Sequence, residues 1–211
     1  MSVSCPQWWG EGRAIAVAHD VRSMHNIGAV FRTADGAGFA GVVLSGISGA
    51  PPDPRIAKVA LGAEQALPFA RVPDLDRLLD LLDGVWVLLL EQHDHSVSLT
   101  HAPSPPTGRR VALVVCGEID GAPPELVTRA DVILEIPMLG SKESLNVSVA
   151  FGIGAYSSAV TASDGETGLV RNRGRHPLRE GVLTRGVTQG EAPSAGSPAS
   201  RGETNVARSS L

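Results

Sequence analysis

Short, mostly apolar runs recur along the chain and are separated by stretches with helical spacing. Six such runs cover residues 13–18, 42–44, 69–72, 85–90, 111–115 and 132–136. Apolar runs without polar alternation are typical of strands covered on both faces, as in parallel sheets. The pattern therefore predicts about six strands, and it allows a further short strand at 97–100.

Helical periodicity fills the segments between these runs. Asn26 is placed to cap a helix, and Gly36 lies where that helix is expected to end. The apolar positions of this helix are Ile27, Val30, Phe31 and Ala34. Further helices are predicted at 55–67 with a break at Gly62, at 74–83, at 123–129 and from about 146 onward. Strands that alternate with helices predict an α/β fold with a mostly parallel sheet and flanking helices.

Residues 136–159 contain the most distinctive local pattern. A predicted strand ends at Ile136, Pro137 stops it, and a loop rich in Gly, Ser and Lys follows. Ser144, Leu145 and Asn146 then open a run of small and apolar residues that reads as a helix. A strand end, a loop of backbone donors and a helix N-terminus together predict a cradle for a small polar ligand.

The composition divides the chain into two parts. Residues 1–162 carry the periodic apolar pattern, whereas residues 163–211 are rich in Gly, Ser, Pro and Arg and have almost no periodic apolar positions. A segment that cannot bury apolar surface is expected to be a disordered tail. We therefore predict one folded domain followed by that tail.

The charge of the chain limits its partners. The formal net charge is −4, and the first 160 residues contain 11 basic and 17 acidic side chains. This balance argues against non-specific binding to nucleic acid or anionic membranes. Five basic residues nevertheless lie in or near the motif loops, so a local basic mouth on an acidic body is expected. They are Arg22, Arg32, Arg55, Lys58 and Lys142.

The cysteines and the apolar runs indicate a cytoplasmic protein that does not span a membrane. Cys5 and Cys116 are far apart, with no disulfide framework and no metal-ligand spacing. A reducing compartment is therefore expected. The longest apolar run, 85–90, is too short to cross a bilayer.

Three segments carry the candidate chemistry: residues 26–34, 117–121 and 136–150. Taken singly, each has an ordinary structural explanation. Asn26 and Asn146 could cap helices, Arg32 could be a surface arginine or a partner of Asp35, and residues 117–118 could form a simple turn.

As an ordered set, NIGAVFRTA, GEIDG and IPMLGSKESLNVSVA resemble the SpoU (TrmH-like) family of RNA ribose 2′-O-methyltransferases, in the SPOUT class. The resemblance covers about residues 13–160, and residues 58–64 are similar to the family's linking segment. Cys116 and Ala122 depart from the usual second motif. A separate N-terminal RNA-binding domain, as some members have, is not expected in this chain, which leaves the substrate open.

This resemblance implies a fold, a cofactor and a set of roles. The fold would be an α/β domain with a C-terminal trefoil knot, acting as a homodimer on RNA with S-adenosylmethionine as cofactor. The residues matching cofactor-contacting positions are Leu90, Gly117, Ile136, Met138 and Leu145. The residues matching catalytic positions are Asn26, Arg32, Glu118, Ser144 and Asn146.

Arg32 matches the family's catalytic arginine, and two mechanisms are open for it. A free guanidinium titrates above about 12, so a general base would need a site that strongly disfavours its charge. Alternatively, a charged Arg32 would clamp the adjacent phosphate and polarise the ribose hydroxyl. The second mechanism does not require a site that disfavours the charge of Arg32.

Two further classes of function remain as alternatives. One is an RNA- or nucleotide-binding α/β module without catalysis. The other is an NAD-type enzyme, which is disfavoured because no G-x-G-x-x-G turn follows the first strand. For the methyltransferase, tRNA is the preferred substrate and rRNA the second.

Overall fold

A computed structural model describes residues 6–9, 13–117, 121–157 and 160. Within them, seven strands form one sheet, and every neighbouring pair is parallel. The strands are β1 (Ile15–His19), β2 (Val42–Ser45), β3 (Phe69–Val72), β4 (Trp86–Leu90), β5 (Val97–Ser98), β6 (Val111–Cys116) and β7 (Val132–Glu135). The six predicted strands are confirmed, and the short seventh strand forms at Val97–Ser98.

Six α-helices lie between or after these strands in the described part of the chain. They are α1 (Met24–Gly36), α2 (Pro54–Ala60), α3 (Ala63–Ala66), α4 (Leu75–Leu81), α5 (Pro124–Arg129) and α6 (Val147–Ala155). The predicted break at Gly62 is confirmed, since this residue has φ +97° between α2 and α3. No helix among the described residues is long and apolar enough to cross a membrane.

The strand order is β3-β2-β1-β6-β4-β7-β5. Because all strands are parallel, their carboxyl ends meet at one edge of the sheet. The strands β1, β6, β4 and β7 are consecutive in this order, so the residues that follow them come together. All three candidate motifs begin at or near this edge.

The core lies on both faces of the sheet. Side chains of β1 and β6 alternate between the faces: Ala16 and Leu113 point to the side of α1, α2 and α6, while Val17 and Val114 point to the side of α4 and α5. All four residues are fully buried. This double coverage explains why the strands read as continuous apolar runs.

The first helix begins earlier than predicted. Its N-cap is Ser23, whose side chain accepts a hydrogen bond from the backbone of Asn26 at 3.3 Å. The predicted capping role of Asn26 is therefore wrong. Asn26 lies in the first turn instead, which leaves its side chain available for a contact outside the helix.

The helix α1 packs closely on α2 through Gly28. A Cβ added at this glycine would lie 2.7 Å from the carbonyl oxygen of Ile56 and 2.9 Å from Cβ of Val59. Both distances are shorter than real Cβ contacts. The glycine of the first motif is therefore required by helix packing.

Candidate active site

A pocket of about 130 Å³ opens at the carboxyl edge of the sheet, between the ends of β4 and β7. Its lining residues come from these two strands, from the loop after β7 and from α6. They are Leu90, Glu91, Gln92, Leu134, Glu135, Ile136, Met138, Ser144, Leu145 and Ala150. The walls are largely apolar, with a few polar side chains among them.

Four of the five predicted cofactor residues line this pocket: Leu90, Ile136, Met138 and Leu145. Leu90 ends β4 and Ile136 follows β7, so strand ends place both. The fifth, Gly117, is not among the lining residues. A Cβ there would overlap the carbonyl oxygen of Asp20, so the close approach at Gly117 is made by the backbone after β1.

The third motif leads from the pocket into α6. Ser144 lines the pocket, and Asn146 is the N-cap of α6. The side-chain oxygen of Asn146 accepts hydrogen bonds from the backbone nitrogen of Ser148 at 2.9 Å and from its hydroxyl at 2.7 Å. The helix itself begins at Val147, as its cap requires.

Asn26 and Asn146 join the first and third motifs. The amide Nδ2 of Asn146 donates a hydrogen bond to Oδ1 of Asn26 at 3.2 Å. Asn26 is buried, whereas Asn146 is exposed. The capping oxygen of Asn146 faces its helix, and its amide faces Asn26, so one side chain performs both tasks.

Arg32 is exposed on α1 and is not among the pocket-lining residues. Within the described part of the chain it forms no ion pair with Asp35. Its guanidinium is therefore accessible to a partner outside the chain. The predicted site residue Glu118 lies outside the described residues.

The turn after β1 contains a buried polar cluster. Nδ1 of His19 is 3.1 Å from Oγ of Ser45, and its Nε2 is 3.3 Å from a carboxylate oxygen of Asp20. Burial lowers the pKa of His19 from its ordinary value, and the Asp20 carboxylate partly offsets this effect. Asp20 has φ +55°, which bends the chain sharply towards α1.

Cys116, the last residue of β6, has a free and buried thiol. Burial raises its pKa to about 12, and the carboxylates of Glu91 and Asp20 add to the effect. A thiol with so high a pKa is a poor nucleophile at neutral pH. Cys116 is therefore a packing residue at this edge of the sheet.

Arg55, a residue of the expected basic mouth, is paired with an acidic side chain. Arg55 contacts Asp53 at 2.8 Å, and the carboxylate of Asp53 also caps α2. The hydrogen bond from Arg55 lowers the pKa of Asp53 to about 2. Lys58 and Lys142 are exposed.

Three polar residues of the pocket were not predicted from the sequence. Glu91, Gln92 and Glu135 line it, and the side-chain amide of Gln92 donates a hydrogen bond to the carbonyl of Glu143. Their positions carried a usable signal, because each lies at or next to the carboxyl end of a buried strand. Among the described residues, no group of three or more His, Cys, Asp or Glu side chains could hold a metal ion.

Fold and site together define an α/β protein with a parallel sheet and a ligand pocket at its carboxyl edge, flanked by a helix that presents an accessible arginine. The chain belongs to the SpoU rRNA Methylase family, whose model matches residues 13–156. This match includes all three motifs.

Two relatives illustrate the similarity in sequence. The 23S rRNA (guanosine-2′-O-)-methyltransferase RlmB of Vibrio cholerae is 37% identical over 142 residues, and that of Escherichia coli is 35% identical over the same length. Each alignment covers 66% of this chain and 56% of the relative. The chain thus spans a little over half the length of these proteins.

Solved structures share the fold. The AdoMet-bound rRNA methyltransferase of Sinorhizobium meliloti has a TM-score of 0.64 and 30% identity, covering 70% of this chain and 56% of that one. The TrmH/SpoU tRNA modifying enzyme of A. aeolicus has a TM-score of 0.59 and 28% identity, covering 69% and 75%. The neighbours therefore include proteins named for rRNA and for tRNA.

Proposed function

We propose that this protein is an RNA ribose 2′-O-methyltransferase that uses S-adenosylmethionine. The observation that carries the proposal is the pocket between β4 and β7. It is lined by four residues that match cofactor positions, and the Asn26–Asn146 contact joins the first motif to the third beside it. Family membership supports the same activity.

The lining of the pocket suits S-adenosylmethionine. Leu90, Ile136, Met138 and Leu145 offer an apolar slot for an adenine ring. The only charged side chains among the lining residues are the carboxylates of Glu91 and Glu135, so no cation in the lining would repel a sulfonium. When bound, this cofactor supplies the methyl group.

Arg32 is proposed to bind the RNA phosphate next to the target ribose. Its exposed guanidinium can form a bidentate contact with a phosphate, and such contacts are shorter and stronger than neutral hydrogen bonds. A cation held there also stabilises negative charge on the 2′-oxygen as its proton leaves. This arrangement favours the phosphate-clamp mechanism over a general base.

Asn26, Ser144 and Asn146 are proposed to orient the ribose, together with Glu118. The Asn146 amide is held by Asn26, and its oxygen is held by the start of α6. A side chain fixed at both ends loses little entropy when it binds a substrate. Asn146→Ala should therefore impair methyl transfer. If this variant changes only the thermal stability, the role of Asn146 is limited to capping α6.

The finer features of the family are proposed as well. We place a trefoil knot in the segment around 136–146, whose Glu143 carbonyl is held by Gln92 after β4. We also propose that α6 forms a homodimer interface. Val149, Ile153 and Tyr156 are spaced as one helical stripe and are 50%, 42% and 64% exposed.

Transfer to separated RNA classes tests the proposal. The full chain is incubated with methyl-labelled S-adenosylmethionine and with purified tRNA or rRNA, and label in the RNA is counted. We expect incorporation into RNA, with tRNA preferred. Cofactor binding without incorporation into either class would favour a non-catalytic binding module instead.

A further inference from the structure

Glu91 occupies a position that touches both the pocket and the second motif. It directly follows β4 and lines the pocket, and its backbone nitrogen continues the sheet by donating to the carbonyl of Leu134 at 3.0 Å. Its carboxylate binds two backbone nitrogens. Oε1 accepts from Gln92 at 3.0 Å, and Oε2 accepts from Ala122 at 3.0 Å.

Ala122 directly follows the second motif, residues 117–121, in the sequence. Gly117 directly follows β6, and the nitrogen of Gly121 donates to the carbonyl of Gly117 at 3.2 Å. Gly121 has φ +65°, a conformation that favours glycine, and a Cβ added there would be 3.5 Å from Oε2 of Glu91. The three residues Gly117, Gly121 and Ala122 flank the part of the motif that lies outside the described residues, and we call them the motif stem.

The opposite side of the motif stem is held by the end of β1. The nitrogen of Gly117 donates to the carbonyl of His19 at 2.9 Å, and the Asp20 carbonyl lies directly against its Cα. These are backbone contacts, with His19 buried and Asp20 and Gly117 partly buried. Glu91 is therefore the side chain that fixes the far end of the stem.

We infer that Glu91 is a positioning residue that fixes the motif stem beside the cofactor pocket. An ionised carboxylate is well suited to this task because it has two acceptor oxygens and no donor. A glutamine has one acceptor oxygen, so it cannot bind both backbone nitrogens in the same way. An aspartate is one methylene shorter and does not reach both partners.

That Glu91 fixes the motif stem is argued from geometry. The expected effect on turnover rests on the proposed function. Glu118, a proposed site residue, directly follows Gly117 in the sequence, so a displacement of Gly117 is expected to displace it too. Small displacements of a positioned catalytic group slow a reaction strongly. Loss of the Glu91 contact should therefore lower turnover more than cofactor affinity.

Amide hydrogen exchange tests whether Glu91 fixes the motif stem. Exchange at Gly121 and Ala122 is measured at residue resolution in the full chain, in Glu91→Gln and in Glu91→Asp. We expect at least about tenfold faster exchange at Ala122 in Glu91→Asp, because its hydrogen bond is lost, and a smaller increase in Glu91→Gln, which keeps one acceptor oxygen. Glu125→Gln, an exposed position on α5 with the same change of charge, should leave this exchange unchanged. Native-like exchange in a folded Glu91 variant would overturn the inference.

Turnover and cofactor affinity test whether the Glu91 contact matters for catalysis. In Glu91→Gln, turnover at saturating cofactor should fall at least about tenfold, while the Kd for S-adenosylmethionine, measured by calorimetry, changes less than about threefold. A raised Kd with normal turnover would make Glu91 a cofactor-contact residue and would overturn the positioning role. If the native chain transfers no methyl group, the proposed function fails, and the exchange experiment still decides whether Glu91 holds the stem.

Discussion

Arg32 is the residue on which the proposed chemistry most depends. It lies outside the pocket lining, so Arg32→Ala should bind S-adenosylmethionine with unchanged affinity and lose methyl transfer by about a hundredfold or more. Calorimetry and label incorporation measure the two effects separately. Arg71→Ala, an exposed arginine on the strand β3, serves as the control and should remain active. A fully active Arg32→Ala variant would remove this residue from the mechanism.

His19 should make stability depend on pH. Burial lowers its pKa in the folded chain, so the unfolded chain binds the proton more readily. The free energy of unfolding should therefore fall as the pH drops through about 6.5, the unfolded value, and it should be highest above that pH. Chemical denaturation between about pH 7.5 and about pH 5.5 measures this slope.

The matched variants for this test are His19→Gln and His25→Gln. The first removes the buried titrating group, so the fall in stability between these pH values should become smaller. The second removes an exposed histidine in the first turn of α1 and should leave the fall unchanged. An unaltered slope in His19→Gln would assign the pH dependence to other groups.

At the residue scale, the apolar lining of the pocket was predictable, whereas its two carboxylates were not. Leu90 and Ile136 lie at strand ends that the apolar pattern locates, so their meeting at one edge follows from parallel pairing. Glu91 and Glu135 were missed because a single polar residue after a strand has no periodicity. Their role depends on which strands are neighbours, and order along the sheet differs from order along the chain.

Among the elements, α1 connects the site to the rest of the fold. It packs on α2 at Gly28 and on α6 near Thr33, where a Cβ added at Gly152 would be 4.0 Å from Cγ2 of Thr33. The order of strands and helices along the chain was predictable. Because both faces of the sheet are covered, each strand reads as a continuous apolar run. The start of α1 was not, because Ser23 and Asn26 are both good caps and only the tertiary contact of Asn26 decides between them.

Close packing of α1 on α2 predicts that Gly28→Ala is destabilising. The added methyl would overlap the Ile56 carbonyl and Val59, so the free energy of unfolding should fall by about 1–3 kcal/mol. Gly152→Ala is the matched change in α6, where space is available, and should leave stability unchanged or raise it by up to about 1 kcal/mol. Urea denaturation measures both variants. Equal effects in the two would contradict the packing argument.

For the whole molecule, the proposed dimer accounts for the exposed apolar stripe on α6. Ile153→Glu places a charge in this stripe and should convert a dimer into a monomer, as measured by size-exclusion chromatography with light scattering. Leu61→Glu changes another exposed leucine-sized side chain, 67% exposed and outside α6, and should not alter the mass. A native chain that is monomeric at all accessible concentrations would contradict the proposed interface.

Two proposed features of the whole molecule could not be predicted from local sequence patterns. A knot and a dimer depend on how distant segments pass one another, and local periodicity carries no information about either. The predicted tail at residues 163–211 lies outside the described residues and stays a prediction.

The central claim is that the chain methylates the ribose 2′-oxygen of RNA. The most direct measurement is to methylate RNA with labelled S-adenosylmethionine and the native chain, then to digest the product with alkali. A 2′-O-methyl group blocks cleavage of the adjacent phosphodiester, so the account predicts label in alkali-resistant dinucleotides. Label found on free mononucleotides, as base methylation would give, would contradict it.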